Sequence, residues 1–353
     1  SGTLAAAKGG FTTVCAMPNT HPALDRPSVI NLVMKMVQGT AAIRVLPIAA
    51  ITMGRNGEQL TNFSELASAG VVGFSDDGDP VSNPSLMRHA LERSVALELP
   101  IINHCQELSM TRGAQINDGV FSSRLGLPGW PGQAEAHMVF RDIGFAEETG
   151  GRLHIAHIST KESVRYVREA KARGVDVTAE ATPHHLILND AWVLGTHGDT
   201  GGDIGLDTCD TSAKVNPPLR SEGDREEIED ALVDGTIDFI ATDHAPHAES
   251  DKSGDFEAAE NGISSLETAF GLVMGLVHGG AINLVTLIDR LTASPAKFLA
   301  MELGSLKPGF PADLVLLDLN MEWVVKSEKF ASLGKNTPLD GVSLRGRVVT
   351  TIF

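Results

Sequence analysis

Cysteine is scarce in this chain: three in 353 residues, at Cys15, Cys105 and Cys209, placed singly with no CxxC spacing. An odd, scattered set excludes a disulfide framework and points to a reducing compartment, the cytoplasm. Cationic side chains are few as well, 28 Lys and Arg against 45 Asp and Glu, which leaves a formal net charge of −17. Phosphate repels so acidic a chain, so a nucleic-acid partner is excluded, while a locally positive pocket for a small anion stays open. No apolar run reaches the roughly 18 residues of a membrane span, and no signal peptide is expected at the opening residues. What the chain does have is 42% hydrophobic residues and 36 glycines. That is enough for one large α/β domain with a small appendage, and it excludes extensive disorder.

A repeated unit organises the sequence: a short apolar, β-branched run, then polar or Gly-rich residues, then a helical stretch. The runs lie at Thr12–Asn19, Ile43–Ile51, Gly70–Gly78, Leu99–Glu107, Gly151–Ser159, Val175–His185 and Ile237–His247. Helices are predicted over Ser85–Leu97, Lys161–Gly174 and Asp224–Gly235, the last two stopped by glycine. Continuous apolar strands alternating with helices predict a parallel sheet covered by helices.

Polar residues close nearly every run: Asn19, Asp76 and Asp77, His104, His157, His184 and His185, and Asp243. Chemistry spread over so many strand ends fits a (β/α)8 TIM-like barrel, whose site forms at the C-terminal face. Seven units are counted where a barrel needs eight, and SGTLAAAKGG reads as a helix with no strand ahead of it, so the first strand is expected to be missing. The barrel is assigned to residues 1–304, and residues 305–353 to part of a small β-sandwich-like domain. The Gly/Asp-rich stretch Leu194–Ser212 reads as a surface loop.

Taken singly, each polar residue has a plain explanation: a satisfied histidine, a solvated turn aspartate, a capping asparagine. Jointly, Asp77, His104, His157 and Asp243 place carboxylate and imidazole on four strands without thiolate. That set suits Zn²⁺ or Mn²⁺ in a hydrolytic site, where a bound water has its pKa lowered toward about 7. A metal hydrolase is therefore favoured over a metal-free barrel.

The pieces GGFTTVCAMPNT, GFSDDG, INHCQE, HIAHISTKES, TAEATPHHL, KVNPPLR, ATDHAPH and PADLVLLD, in that order, resemble the type I dihydroorotases of the amidohydrolase superfamily. The resemblance implies reversible interconversion of L-dihydroorotate and N-carbamoyl-L-aspartate in pyrimidine biosynthesis, with a metal-bridging hydroxide as nucleophile. It implies that Asp77 bridges two metals, that His104 and His157 bind the second, and that Asp243 is both a ligand and the general acid/base. Asn19, Asn216 and His247 match substrate contacts, and Asn261 with Gly262 match a segment that hydrogen-bonds the pyrimidine ring. Two Zn²⁺ per complete site are implied, with Mn²⁺ or Co²⁺ compatible, together with a homodimer and aspartate transcarbamoylase as a possible partner.

Plain readings remain for other residues. His154, His184 and His185 are expected to be structural, and His21, His137, His197 and His278 to lie on the surface. Cys105 reads as packing and Lys161 as a helix-start lysine. The family pattern also carries a His-x-His pair and an arginine on its first strand, and no His-x-His occurs in these 353 residues. Truncation of a longer enzyme is the leading expectation. A non-catalytic scaffold, or a hydantoinase or allantoinase cousin, are the alternatives.

Overall fold

A computed structural model describes residues 1–195 and 209–353. His197 and most of the Leu194–Ser212 stretch therefore lie outside the described residues; within that stretch Thr211–Ala213 forms a 3-10 turn.

Each apolar run supplies one position in a parallel wall whose spatial order follows the chain. Thr13–Ala16 pairs with Arg44–Pro47. Ile101–Asn103 pairs with Leu153–Ile155, which pairs with Val177–Ala181, which in turn pairs with Phe239–Ile240. The run at Gly70–Gly78 forms no continuous strand, in contrast to the reading above. Phe74 alone bridges Ala49 on one side and Ile101 on the other, so the wall keeps its third position through a few backbone bonds. Among the described residues the first and last strands do not pair, leaving seven positions in an arc.

The helices cover the outside because their apolar faces have only the wall to bury against. Pro84–Val95 packs on Gln133–Thr149, that helix on Lys161–Ala172, and that on Glu222–Asp234. Their starts are fixed by side-chain caps: Asn83 accepts from Ser85 and Leu86 amides, Thr160 from Ser163, and Ser221 from Asp224. Each such cap is worth about 1 kcal/mol. Between wall and helices lies one apolar layer that includes Phe74, Met87, Leu91, Met138, Leu153, Val164 and Val167. Phe74 is stacked on Phe63 at 4.0 Å. Inside the arc, Ile48, Ile102 and Ala156 form a separate small cluster with Met17, Val72 and Phe298. This floor keeps water out from below and leaves the opposite, C-terminal end free for polar groups.

The C-terminal region forms a bulged antiparallel pair, Leu314–Val324 with Ser343–Ile352. It packs on the helix Ala269–His278, where Gly271 and Gly346 let the backbones approach closely. The connection between its two strands does not stay with the pair. Val325, Ser332, Asn336, Thr337 and Leu339 are all buried. No helix in the described residues is long and apolar enough to cross a membrane.

Candidate active site and metal centre

The strand ends converge as the barrel geometry requires. Ligand-capable atoms of Asp77, His104 and His157 lie within 4.8 Å of one another. His104 Nδ1 is 2.9 Å from His157 Nε2, and His157 Nε2 is 3.9 Å from Asp77 Oδ1. Asp243 is not part of that triplet but acts electrostatically on His157 and feels Asp77 in turn.

Local backbone explains why these side chains point inward. Of the two aspartates after Phe74, Asp76 is structural: its carboxylate accepts from the Ile51 and Thr52 amides at 2.8 and 3.0 Å and from the Thr52 hydroxyl. That clamp joins two neighbouring strand ends and turns Asp77 into the site. His157 and Asp243 both have positive φ, 33° and 44°. Non-glycine residues rarely adopt such angles, and they persist where surrounding contacts impose them, commonly at functional sites.

The contacts behind His157 are strong. Buried Glu135 accepts from the Ser159 and Thr160 amides at 3.1 Å each and from both of their hydroxyls. Buried Arg220 crosses to Ser159 Oγ at 3.1 Å and to the Trp130 carbonyl at 2.7 Å. Behind His104, Gln106 Oε1 faces Nε2 at 3.0 Å, which leaves Nδ1 as the inward-facing atom. An imidazole whose far nitrogen is held by an amide oxygen is the usual arrangement of a metal-ligating histidine.

The charges favour a cation. Burial pushes His104 down to about 4, with His157 adding to the effect, so it is a neutral donor. Burial alone would also lower His157, but the hydrogen bond to Asp77 and the charges of Asp243, Asp77 and Glu180 raise it to about 9. Three carboxylates thus hold a proton at an imidazole where a divalent cation fits, and the donor set matches such an ion. Asp77 stays below the usual carboxylate range: burial opposes this, and its bond to His157 prevails. Burial pushes Asp243 up to about 6, helped by Asp77 and Glu180 and opposed by His157.

The other residues expected to contact substrate have these partners. Asn19 Nδ2 donates to Asp77 Oδ2 at 3.1 Å. Asn216 Nδ2 donates to Gln106 Oε1 at 3.1 Å, while its buried Oδ1 has no protein partner. His247 Nε2 lies 2.9 Å from the Asn261 carbonyl. Gly262 sits so close to Ala245 and His247 that a Cβ would come within 2.9 Å of both.

Other sequence readings are placed as well. His21, His137 and His278 are exposed, Cys105 is buried in the main core, and Lys161 opens its helix. His185 is buried against Thr182 Oγ1 and the Pro217 carbonyl. His154 is buried inside the arc against Thr178, with Phe239 and Phe298 on its ring. His184 is buried with neither ring nitrogen bonded to protein.

Sequence reasoning missed Gln106, Glu135, Glu180, Arg220 and Asn336. Gln106 and Glu180 carried a signal, since alternation puts Gln106 on the same side as His104 and Glu180 on an inward strand position. Glu135 and Asn336 carried none.

Comparison with known proteins agrees with this geometry. A family described as dihydro-orotase-like matches residues 1–163. The dihydroorotase of Bacillus caldolyticus is 47% identical over 352 residues, 99% of this chain and 79% of that protein. That of Anaeromyxobacter dehalogenans is 46% identical, over 100% of this chain and 79% of its own. The chain belongs to the dihydroorotase family. It is an enzyme of the hydrolase class that acts on cyclic amides, and its family and His/Asp cluster imply a metal cofactor. Solved structures of the same fold include an L-hydantoinase from Arthrobacter aurescens, with a TM-score of 0.85 at 24% identity over 99% of this chain and 77% of that one. A dihydropyrimidinase from Brevibacillus agri gives 0.81 at 20% identity with the same coverage. These confirm the TIM-barrel amidohydrolase fold of this dihydroorotase-family chain.

Proposed function

We propose that this chain performs the dihydroorotase reaction of pyrimidine biosynthesis, reversible hydrolysis of L-dihydroorotate to N-carbamoyl-L-aspartate. The observation that carries the reading is the convergence of His104 Nδ1, His157 Nε2 and the Asp77 carboxylate, with Asp243 close enough to act on His157. Asp77, His104, His157 and Asp243 would hold the metal, Zn²⁺ first among Zn²⁺, Mn²⁺ and Co²⁺. When bound, the metal supplies a water of lowered pKa and polarises the ring carbonyl.

The chain's own residues do the rest. Asp243 takes the proton from the attacking water and delivers it to the ring nitrogen as the C–N bond breaks, the work of a general acid/base. Asn19, Asn216 and His247 bind the substrate carboxylate and ring, and the free Oδ1 of Asn216 is available to a ring N–H. The backbone at Asn261–Gly262 completes the ring contacts. A homodimer is the proposed assembly, with aspartate transcarbamoylase as a further partner, and gel filtration with and without that partner tests both.

The deciding assay measures turnover of Zn²⁺-loaded protein on L-dihydroorotate, hydantoin and allantoin, alongside metal content. Turnover of dihydroorotate alone supports the reading; turnover of only the others overturns the substrate assignment. Stoichiometric metal with no turnover on any of the three compounds would overturn the reading as well.

A further inference from the structure

The proposed substrate side of the site is built from two loops, His244–His247 and Asn261–Ser264, joined directly by one backbone bridge from His244 to Ile263, and both also meet a single side chain from the C-terminal region. Asn336 is buried at 7% exposure. Its Oδ1 accepts from the His247 amide at 2.8 Å and from the Ser264 hydroxyl at 2.9 Å. Its Nδ2 donates to the Ala245 carbonyl at 3.0 Å and to the Gly262 carbonyl at 2.9 Å. Its own carbonyl accepts from the Ser264 amide at 2.7 Å. The approach is as close as a backbone allows: a Cβ on Gly334 would lie 2.6 Å from the His247 nitrogen.

One carboxamide therefore satisfies both its donor and acceptor capacity on the two loops, two bonds to each. Every group it touches is main chain except the Ser264 hydroxyl, so it fixes where the loops run rather than what they carry. We propose that Asn336 is a positioning residue for the reaction, setting the spacing between His247 and the Asn261–Gly262 backbone and hence the shape of the ring-binding pocket. This rests on the function proposed above, in which those residues contact substrate. Asn336 itself touches neither the metal-ligand cluster nor Asp243.

A positioning role predicts a split between binding and chemistry. In metal-loaded full-length protein, Asn336→Ala should raise KM for L-dihydroorotate and for N-carbamoyl-L-aspartate at least tenfold. The kcat should stay within about threefold and metal content should not change. Asn336→Asp keeps the shape but sets a carboxylate against the Ala245 and Gly262 carbonyls, and should raise KM at least as much. Thr337→Ala, a buried neighbour whose hydroxyl bonds only locally to Leu339, should lower stability without moving KM.

Amide exchange provides a reading that does not need turnover. Asn336→Ala should speed exchange at His247 at least tenfold and leave the segments around His104 and His157 unchanged. Wild-type protein that neither binds nor turns over the two compounds removes the proposed reaction, while the exchange result still decides the loop spacing. Unchanged KM and unchanged His247 exchange in a folded variant overturn the inference. So does an equal KM shift in Thr337→Ala, or failure of both Asn336 variants to fold, since each marks a purely structural residue.

Discussion

The proposed metal side of the site hangs on strand ends, whereas the proposed substrate side hangs on side chains that arrive from far along the sequence. Asp77, His104 and His157 each follow a wall position within a few residues, and their supports, Asp76, Gln106 and Glu135, sit in or beside the same units. His247 and Asn261–Gly262 lie in loops joined by a single backbone bridge, His244 to Ile263, rather than by a ladder. Lys252 grips the second of them, donating to the carbonyls of Lys214, Glu260 and Gly262 at 3.1, 2.7 and 3.2 Å, and Asn336 grips both from behind. The wall gives the metal side rigidity through its ladders. The substrate side, with one bridge in place of a ladder, depends more on a few buried polar groups staying paired, because each unpaired one costs about 1–3 kcal/mol.

The contrast can be broken or sharpened by mutation. The largest effect is expected at Asp243. Asp243→Asn should lower kcat by about 10²–10⁴-fold, the usual share of general acid–base catalysis; retained turnover would move the proton transfer elsewhere. Next comes Gln106→Leu, on the metal side, which frees the far nitrogen of His104. Metal affinity should fall by about 10–100-fold, read by chelator competition, and dihydroorotate KM at saturating metal should change less. Lys252→Met is the opposite case. It should raise KM several-fold and lower Tm, with metal content intact by elemental analysis. If Lys252→Met sheds metal while Gln106→Leu keeps it, the two sides are not independently held.

The smallest expected effect concerns Asp142, on the helix behind the strand Ile101–Asn103, where its carboxyl meets Asn103 Nδ2 and Arg141. Burial pushes it up to about 6, against the lowering influence of Arg141 and Asn103. At this carboxyl the folded protein keeps a proton that the unfolded chain has lost between about pH 4 and 6, so its contribution to stability falls as pH rises through that window. Asp76 and Asp243 act in the same sense, while His104, His184, His185 and His244, lowered by burial, act in the opposite one. Asp142→Asn removes only its own contribution, so the stability of the variant relative to wild type should rise from about pH 4 to 6 and level off above. Urea midpoints of the two metal-free proteins from pH 4 to 7 measure this, and a difference independent of pH would contradict the assignment.

The same division sets what the sequence makes legible. Parallel strands buried on both faces appear as apolar runs, and the residue ending each run is the one that meets the others across the barrel mouth. Asp77, His104 and His157 are readable for that reason. The run at Gly70–Gly78 is readable as a wall position but not as a strand, because only Phe74 bridges both neighbours. Asn336 lies 89 residues from His247 and 74 from Gly262. No local periodicity encodes a contact of that span, and a buried asparagine looks in sequence like any turn residue. Glu135 is hidden differently: it sits on a helix face among alanines, and its partners belong to the next strand's exit.

The positive φ of His157 and Asp243 bears on how inactive versions of this protein are best made. Left-handed backbone is tolerated by Asn, Asp, His and Gly, and poorly by β-branched side chains. A knockout that inserts Val or Ile at either position therefore changes chemistry and folding together, and its phenotype cannot be apportioned. His157→Asn and Asp243→Asn keep a residue the local backbone accepts. They are the substitutions through which loss of chemistry can be seen separately from loss of structure, and the ones a lineage shedding catalysis while keeping the barrel could tolerate first.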